Sequence, residues 1–317
     1  MCMRSHLIVT AFGLVAVCGT TAEGQADTTC HRCLNGFRFI PSSIVDEPFA
    51  TTFFQNSTGG GSAVNLSIPV RNLAGDTIKT INGSIGFLLV DFEYQQAITK
   101  WLALRASAGG IGRLGTSIPS LVATGVSAAF GGALGATVPI LNRPNFIVSA
   151  VADYRVNTQY DVDPFGFAKQ VADSTYDPES NSGALLRSYP VDRWSVGLRG
   201  AWAIAPWVGV SGELEPGGAH ENSEDKSLTT YGALVGFDFG KRSKVPVGLT
   251  LGYRGQSGSG KTGNIAGGYR TAQVGVYYTG RRDVQIGADV FWSKIAVSSS
   301  SSDLDGVQFR LVTRIDF

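Results

Sequence analysis

The C-terminal segment alternates by chemistry. Val307, Phe309, Leu311, Ile315 and Phe317 share one parity, and Gln308, Arg310, Arg314 and Asp316 share the other. Successive residues of a strand face opposite sides, so this spacing predicts a strand with one apolar and one charged face. The rhythm recurs upstream. Val284, Ile286, Ala288, Val290 and Trp292 oppose Gln285, Gly287, Asp289 and Ser293. Trp194, Val196, Leu198, Trp202 and Ile204 oppose Ser195, Gly197, Arg199 and Ala203. Tyr231, Ala233, Val235, Phe237 and Phe239 oppose Gly232, Gly236 and Asp238. Strands are predicted over 83–97, 101–114, 126–141, 145–158, 191–204, 207–219, 228–240, 246–256, 268–280, 283–296 and 304–317. Each is long enough to supply the ~9–11 residues that a tilted strand needs to cross a bilayer.

The connections alternate in length. Short ones fall at 98–100, 142–144, 205–206, 241–245 and 281–282, and longer ones at 115–125, 159–190, 220–227, 257–267 and 297–303. Such sorting predicts hairpins with all tight turns on one side, which places both ends of the sheet on that side and requires an even strand count. A further strand is therefore expected within 49–70, with Phe49–Phe54 and Val64–Ile68 as its candidates. The predicted fold is an all-β, antiparallel, up-and-down transmembrane β-barrel of about twelve strands. Residues 118–141 are nearly uncharged and long enough for a spanning helix. Their second half nevertheless alternates Val126, Ala128, Phe130 and Leu134 with Ser127, Ala129, Gly131 and Gly135, which predicts a strand, with a short loop helix over 116–124.

Composition agrees with this reading. Charged residues make up 16% of the 317-residue chain, against roughly 25% in soluble proteins, and there are 41 glycines. The formal net charge of +1 gives no reason to expect a nucleic-acid partner. Residues 1–26 read as a secretory signal, with Arg4 ahead of the apolar run Leu7–Cys18 and a small-residue site at Gly24-Gln25-Ala26. Val15–Cys18 matches a lipoprotein box poorly. The expected mature chain starts near Asp27, with 27–48 as a periplasmic or plug segment and 49–317 as the barrel. It keeps two cysteines, Cys30 and Cys33. Outside the cytoplasm such a pair points to a local disulfide, with a metal site or free thiols as alternatives. A metal site would lack ligands, since only His31 and His220 accompany the cysteines, and Leu34 stands where a c-type haem site needs histidine.

Signal, alternating strands, sorted loops and the terminal Phe317 together resemble Gram-negative outer-membrane β-barrel proteins of the porin and transporter kind. The ending Phe309-Arg310-Leu311-Val312-Thr313-Arg314-Ile315-Asp316-Phe317 is similar to the signal read by that family's assembly machinery, through Phe309, Leu311, Ile315 and Phe317; Thr313 departs from the pattern. The resemblance implies a bacterial outer-membrane location with periplasmic termini, and contact with outer-membrane lipid and the barrel-assembly machinery. Trp101, Trp194, Trp207, Tyr94, Tyr154, Tyr278 and Phe317 gather near strand ends, where interfacial girdles explain them as a set and ordinary packing is the alternative for any single one. Transporters of fatty acids and aromatic hydrocarbons also carry a segment ahead of the barrel, but their Asn-Pro-Ala motif is absent here, where Leu34-Asn35-Gly36 stands.

Candidate chemistry follows from parity. Asp91, Glu93, Asp153, Glu213, Glu215, Asp238, Asp289 and Asp316 are expected to face the lumen, as are Arg105, Arg155, Arg199, Arg254, Arg310 and Arg314. They form either an internal salt-bridge network or a channel wall, and the near balance of signs predicts no strong selection between anions and cations. The leading function is passage of small solutes, hydrophobic compounds included, gated by 27–48 and the 159–190 loop. A lipid or peptide hydrolase is a second class, resting on His220 near Glu213 and Glu215. A structural or adhesive barrel is a third, resting on Asp161, Asp163, Asp173, Asp177 and Glu179 as a cation or partner site. Gly255–Thr262 matches the P-loop pattern, but the glycines after it are poor helix material. No cofactor is expected.

Overall fold

A computed structural model describes residues 30, 32–71, 77–115, 126–162, 186–221, 224–243, 245–259, 268–295 and 304–317. Two short strands come first, β1 (Cys33–Leu34) and β2 (Phe37–Arg38). The long strands are β3 (Phe53–Arg71), β4 (Thr77–Thr99), β5 (Leu102–Gly115), β6 (Val126–Asn142), β7 (Phe146–Val162) and β8 (Leu186–Ala205). They continue as β9 (Val208–Glu221), β10 (Glu224–Asp238), β11 (Val247–Ser259), β12 (Tyr269–Tyr278), β13 (Val284–Ile295) and β14 (Leu304–Asp316). A short helix, α1 (Phe239–Ser243), joins β10 to β11.

Each long strand pairs antiparallel with its sequence neighbours, and β14 pairs with β3, so among the described residues twelve strands close into a barrel. The seam is in register from Asp305↔Val64 to Asp316↔Phe53. Beyond it the Phe317 amide donates to the Thr52 carbonyl at 3.0 Å, so the barrel starts and ends on one rim. The strand that parity requires is β3. It begins at Phe53 and includes Val64–Ile68, while Phe49 packs into the interior. The stretch ambiguous between helix and strand is β6, and no described helix is long and apolar enough to cross a membrane.

The alternation sorts side chains as the rhythm demands. On β14, Phe309 and Leu311 are exposed, as is Phe317 just beyond it, while Val312 and Arg314 are buried. On β13, Ile286 and Trp292 are exposed while Gln285, Asp289 and Phe291 are buried. Leu88, Phe130, Leu134, Leu214 and Val276 extend the exposed apolar surface around the wall. Hydrocarbon is the surrounding that such a surface fits, because water disfavours contiguous apolar area on this scale.

Register irregularities at Ala97/Thr99, Pro139/Leu141 and Ala203/Ala205 lie next to the short turns, where bulges end pairing and bend strands. The opposite rim differs from expectation at 220–227. There β9 runs to Glu221 and β10 starts at Glu224, so most of that connection is strand. Residues 260–267, with the last three residues of the P-loop pattern, lie outside the described residues, and Gly255–Ser259 belong to β11, paired with β10. The suggested loop helix at 116–124, Asp163, Asp173, Asp177, Glu179 and residues 298–302 also lie outside them.

Residues 32–51 run inside the barrel. Asn35 and Gly36 adopt φ of 47° and 79°, the positive values that a tight two-residue hairpin requires, and β1 pairs with β2 through Leu34↔Phe37. The Asn35 amide donates to the Pro144 carbonyl at 2.7 Å, which docks the hairpin on the turn between β6 and β7. Leu34, Phe37, Phe39 and Phe49 then pack with Ile147, Ala201 and Ala203 of the wall. Glycines make the space. A Cβ at Gly209 would lie 2.3 Å from the Phe37 ring, and one at Gly248 would lie 2.4 Å from Ile40. We expect Gly209→Val to displace the Phe37 ring and lower stability by about 1–3 kcal/mol, the usual cost of overpacking. Urea unfolding of the barrel in micelles measures this; an unchanged midpoint would contradict the packing described.

Candidate functional site: a charged lumen built around Asp46

Burying an arginine or carboxylate is costly unless its partners are close and numerous. The middle of the lumen meets that condition by gathering charges from β4, β5, β7, β8, β9 and β11 around one residue of the inner segment. Arg105 reaches Asp46 at 2.8 Å, Glu93 at 3.4 Å and Asp153 at 2.7 Å. Arg199 is 2% exposed and reaches Asp46 at 2.9 Å, Asp153 at 2.7 Å and Glu215 at 2.7 Å. The Asp46 amide donates to Glu213 at 3.0 Å, and Glu213 pairs with Arg254 at 2.9 Å. Ser195 donates to Glu215 at 3.2 Å. Asp46 therefore ties the segment to the wall through its carboxylate and its backbone.

A second network lies near the seam. Arg32 pairs with Glu47 and with Asp316, the latter at 3.1 Å, and donates to Gln285 at 3.0 Å. Arg38 reaches Asp316 at 3.4 Å and donates to the Arg281 carbonyl. Arg314 pairs with Asp316 at 2.8 Å and Glu47 at 3.5 Å, and lies 3.5 Å over the Phe53 ring. Other wall side chains hold the segment through its polar atoms. Ser43 donates to Asp289 at 2.8 Å, as does Tyr277 at 2.8 Å. Gln95 donates to the carbonyls of Phe49 and Thr51 at 2.8 and 2.9 Å.

The space left over is uneven. On the turn side a cleft of about 20 Å³ remains beside Asp46, Glu47 and Phe49, room for about one water. On the other side the segment is the floor of a cavity of about 570 Å³, bounded by Ser43 and Asp46 below and by Asp91, Arg155, Arg254 and Arg310 around it. A recess of about 110 Å³ adjoins it at Ser195, Thr230, Gln256 and Tyr269.

The singled-out residues thus divide by depth. Glu93, Arg105, Asp153, Arg199, Glu213, Glu215 and Arg254 meet at the Asp46 level. Asp91 and Arg310 stand in the cavity, 3.8 Å apart, and Arg155 lines both cavity and recess. Asp289 and Arg314 bind the inner segment. Asp238 joins neither network; it accepts from the Gly240 amide and the Thr279 hydroxyl at 2.9 and 3.0 Å and so holds the turn carrying α1. Cys30 and Cys33 are both in the disulfide form. His220 sits 2.9 Å from Asp225 on an exposed edge, and its odd offset from Glu213 and Glu215 sends it to the opposite face of β9. Periodicity alone missed Arg32, Arg38, Asp46 and Glu47, because the inner segment has no long repeat. The hairpin dipeptide Asn35-Gly36 was its one readable signal.

Ligand atoms of Asp46, Asp153 and Glu215 lie within 4.8 Å of one another, and Arg199 contacts all three. Arg199→Ala should strip their counter-charge and destabilise the barrel by about 3 kcal/mol or more, as removal of one partner of a buried pair does. Millimolar calcium should restore part of that loss in the variant, because hard carboxylate oxygens suit it, and should leave the native chain unchanged. Thermal unfolding with and without calcium reads both effects.

No protein-family profile matches the chain, and no curated protein matches it. Solved structures match by fold. An outer membrane channel from Pseudomonas putida superposes with a TM-score of 0.52 at 13% identity, covering 88% of this chain and 100% of that one. The translocator domain of the autotransporter NalP from Neisseria meningitidis gives 0.48 at 9% identity, with 84% and 89% covered. The NanC porin gives 0.47 at 6% identity, with 83% and 100% covered. The chain accordingly has the fold of outer-membrane β-barrels.

Proposed function

We propose that the chain is a passive outer-membrane channel for small polar solutes, with both ends of the barrel in the periplasm. The observation that carries this reading is the 570 Å³ polar cavity that ends on an ion-paired inner segment. A barrel filled only for stability would not need such a cavity. The Pseudomonas putida structure with the same fold is described as an outer membrane channel, which supports the reading. The charged lining favours polar over hydrophobic solutes, since a desolvated apolar solute gains little beside guanidinium and carboxylate groups. His220 faces away from Glu213 and Glu215 and pairs with Asp225, so the arrangement favours a channel over acid–base chemistry at these three residues.

In this proposal residues 32–51 are the gate. Opening needs the Asp46 pairs with Arg105 and Arg199 to break and the Ser42–Glu47 stretch to move toward the turn-side rim. The Asn35–Pro144 backbone bond and the packing of Phe37 and Phe39 hold the hairpin, so the hairpin serves as anchor and the residues after it as the moving part. Phe309, Leu311 and Ile315 lie on the outer face of β14 at the seam and Phe317 just beyond its end, where an assembly machinery would read them.

Two outcomes follow. Asp46→Asn keeps the size and removes the charge, and weakening the latch by ~1.4 kcal/mol would raise the open fraction about tenfold. Single-channel recording in planar bilayers checks this: sparse openings are expected for the native chain and frequent ones for the variant. Absence of current from both would sink the channel reading. Phe317→Ser should lower the yield of folded barrel in the outer membrane while leaving refolding in micelles intact; equal loss in both settings would mean a purely structural role.

A further inference from the structure

One lumen carboxylate holds the inner segment without a counter-ion. Asp289 of β13 is fully buried, beneath Ser43, which belongs to the floor of the 570 Å³ cavity. The Ser43 hydroxyl donates to Asp289 Oδ2 at 2.8 Å, alongside the Tyr277 hydroxyl at 2.8 Å. Other acids at the segment have guanidinium partners. Asp46 has Arg105 and Arg199, Glu213 has Arg254, and Asp316 has Arg32 and Arg314. Among the described residues Asp289 has no such partner. Arg310 stands directly opposite on β14, but its guanidinium lies 5.1 Å over the Phe291 ring and 3.8 Å from Asp91. Of the remaining charged groups around it, Arg254 of β11 pairs with Glu213, and Arg314 of β14 and Glu47 of the inner segment pair with each other. Oδ1 of Asp289 has no hydrogen-bond partner among the described residues, and neither has the fully buried Thr250 hydroxyl of β11. Both are aimed at one spot beside Gly275 of β12, where a Cβ would lie 2.2 Å from Oδ1 and 2.4 Å from Thr250 Oγ1.

We propose that Asp289 is a proton-operated latch, neutral while the inner segment is shut and ionised once Ser43 has moved away, so that acid holds the gate closed. A buried carboxylate without a cation is far costlier charged than neutral. A proton on Oδ1, the oxygen without a donor, removes that cost and faces Thr250 as its acceptor. Oδ2 stays free to accept from Ser43 and Tyr277. When the Ser42–Glu47 stretch withdraws, cavity water reaches the carboxylate and solvates its charged form. The proton is therefore bound in the shut state and released in the open one. The open fraction falls as pH falls, by at most about tenfold per pH unit, the limit that one proton sets. The ion-paired acids are held charged by their arginines over the same range, which leaves Asp289 as the group that responds. The proposal rests on the reading of residues 32–51 as the gate and adds what operates it.

Hydrogen exchange of the 42–47 amides tests the latch without needing a current. It is measured on the mature chain in detergent micelles and corrected for the intrinsic dependence of exchange on pH. Protection of these amides in the native chain should rise severalfold from neutral to mildly acid pH. In Asp289→Asn, which keeps the size and offers Thr250 an amide donor, protection should be high and indifferent to pH. Infrared spectroscopy gives a second reading that needs no variant. The native chain at neutral pH should show the carbonyl stretch of a protonated carboxylic acid, fading as pH is raised, and Asp289→Asn should lack it. Native protection that ignores pH, a pH response retained in Asp289→Asn, or a native spectrum without the carboxylic acid band would each overturn the latch. Tip protection that tracks pH without any channel current would keep the latch and remove the channel reading. Channel current whose open fraction ignores pH would do the opposite.

Discussion

Hydrocarbon has no groups with which to hydrogen-bond, so every backbone amide and carbonyl that crosses it must be paired within the protein. The β14–β3 ladder, which runs from Asp305↔Val64 to Asp316↔Phe53, satisfies that demand by removing the last sheet edges. Closure at twelve strands then sets a bore wider than the wall's own side chains fill, since about eight strands is the size at which side chains alone suffice. The rest of the molecule answers that surplus space. On the turn side residues 32–51 occupy it, with Gly209 and Gly248 making room for Phe37 and Ile40. On the loop side it remains as the 570 Å³ cavity.

The two ways in which the inner segment is held differ in kind. Its hairpin end rests on apolar packing, with Phe37, Phe39 and Phe49 against Ile147 and Ala203, and on the Asn35–Pro144 backbone bond. Its inward tip rests on the Asp46 ion pairs and on Ile44 and Val45, which pack against Leu234 and Phe291. If Asp46 leaves, Arg105 still has Glu93 and Asp153, and Arg199 still has Asp153 and Glu215. No wall arginine loses all of its partners, so removal of the tip avoids the large penalty of an orphaned buried charge. The apolar end has no such replacement, because exposing Phe37 and Phe39 sacrifices their burial outright. Motion of the tip uncovers Ile44 and Val45, a smaller apolar area than the aromatic rings of the hairpin end, so it costs less than expulsion of the hairpin.

The barrel was legible because a two-residue period survives in strands such as β13 and β14, where Trp292 and Phe309 face outward while Asp289 and Arg314 are buried. Parity even demanded the strand that proves to be β3. Its start was not legible: Phe49 and Phe53 look alike in sequence, and only the interior packing of Phe49 separates them. The extent of β9 and β10 around 220–227 was hidden for a related reason. Glu221 and Glu224 read as loop residues by polarity, yet strands that project beyond a bilayer need no apolar face. For the site, parity says toward which face a charge points and nothing about its height in the bore. Asp238 shares a face with Gly236 yet sits at the turn, binding Gly240 and Thr279. The hub residue, Asp46, lies in a stretch with no period at all.

Height in the bore comes from register, and register is what turns a neutral inventory into a field. Asp153 and Arg155 are two residues apart on β7, and β8 sets Ser195 opposite the first and Arg193 opposite the second. One pleat of the sheet thus separates a carboxylate set opposite a serine from two arginines set opposite each other. A solute ion passing along the axis responds to the nearest charges first, because low-dielectric walls concentrate their field and salt screens those beyond about 8–10 Å.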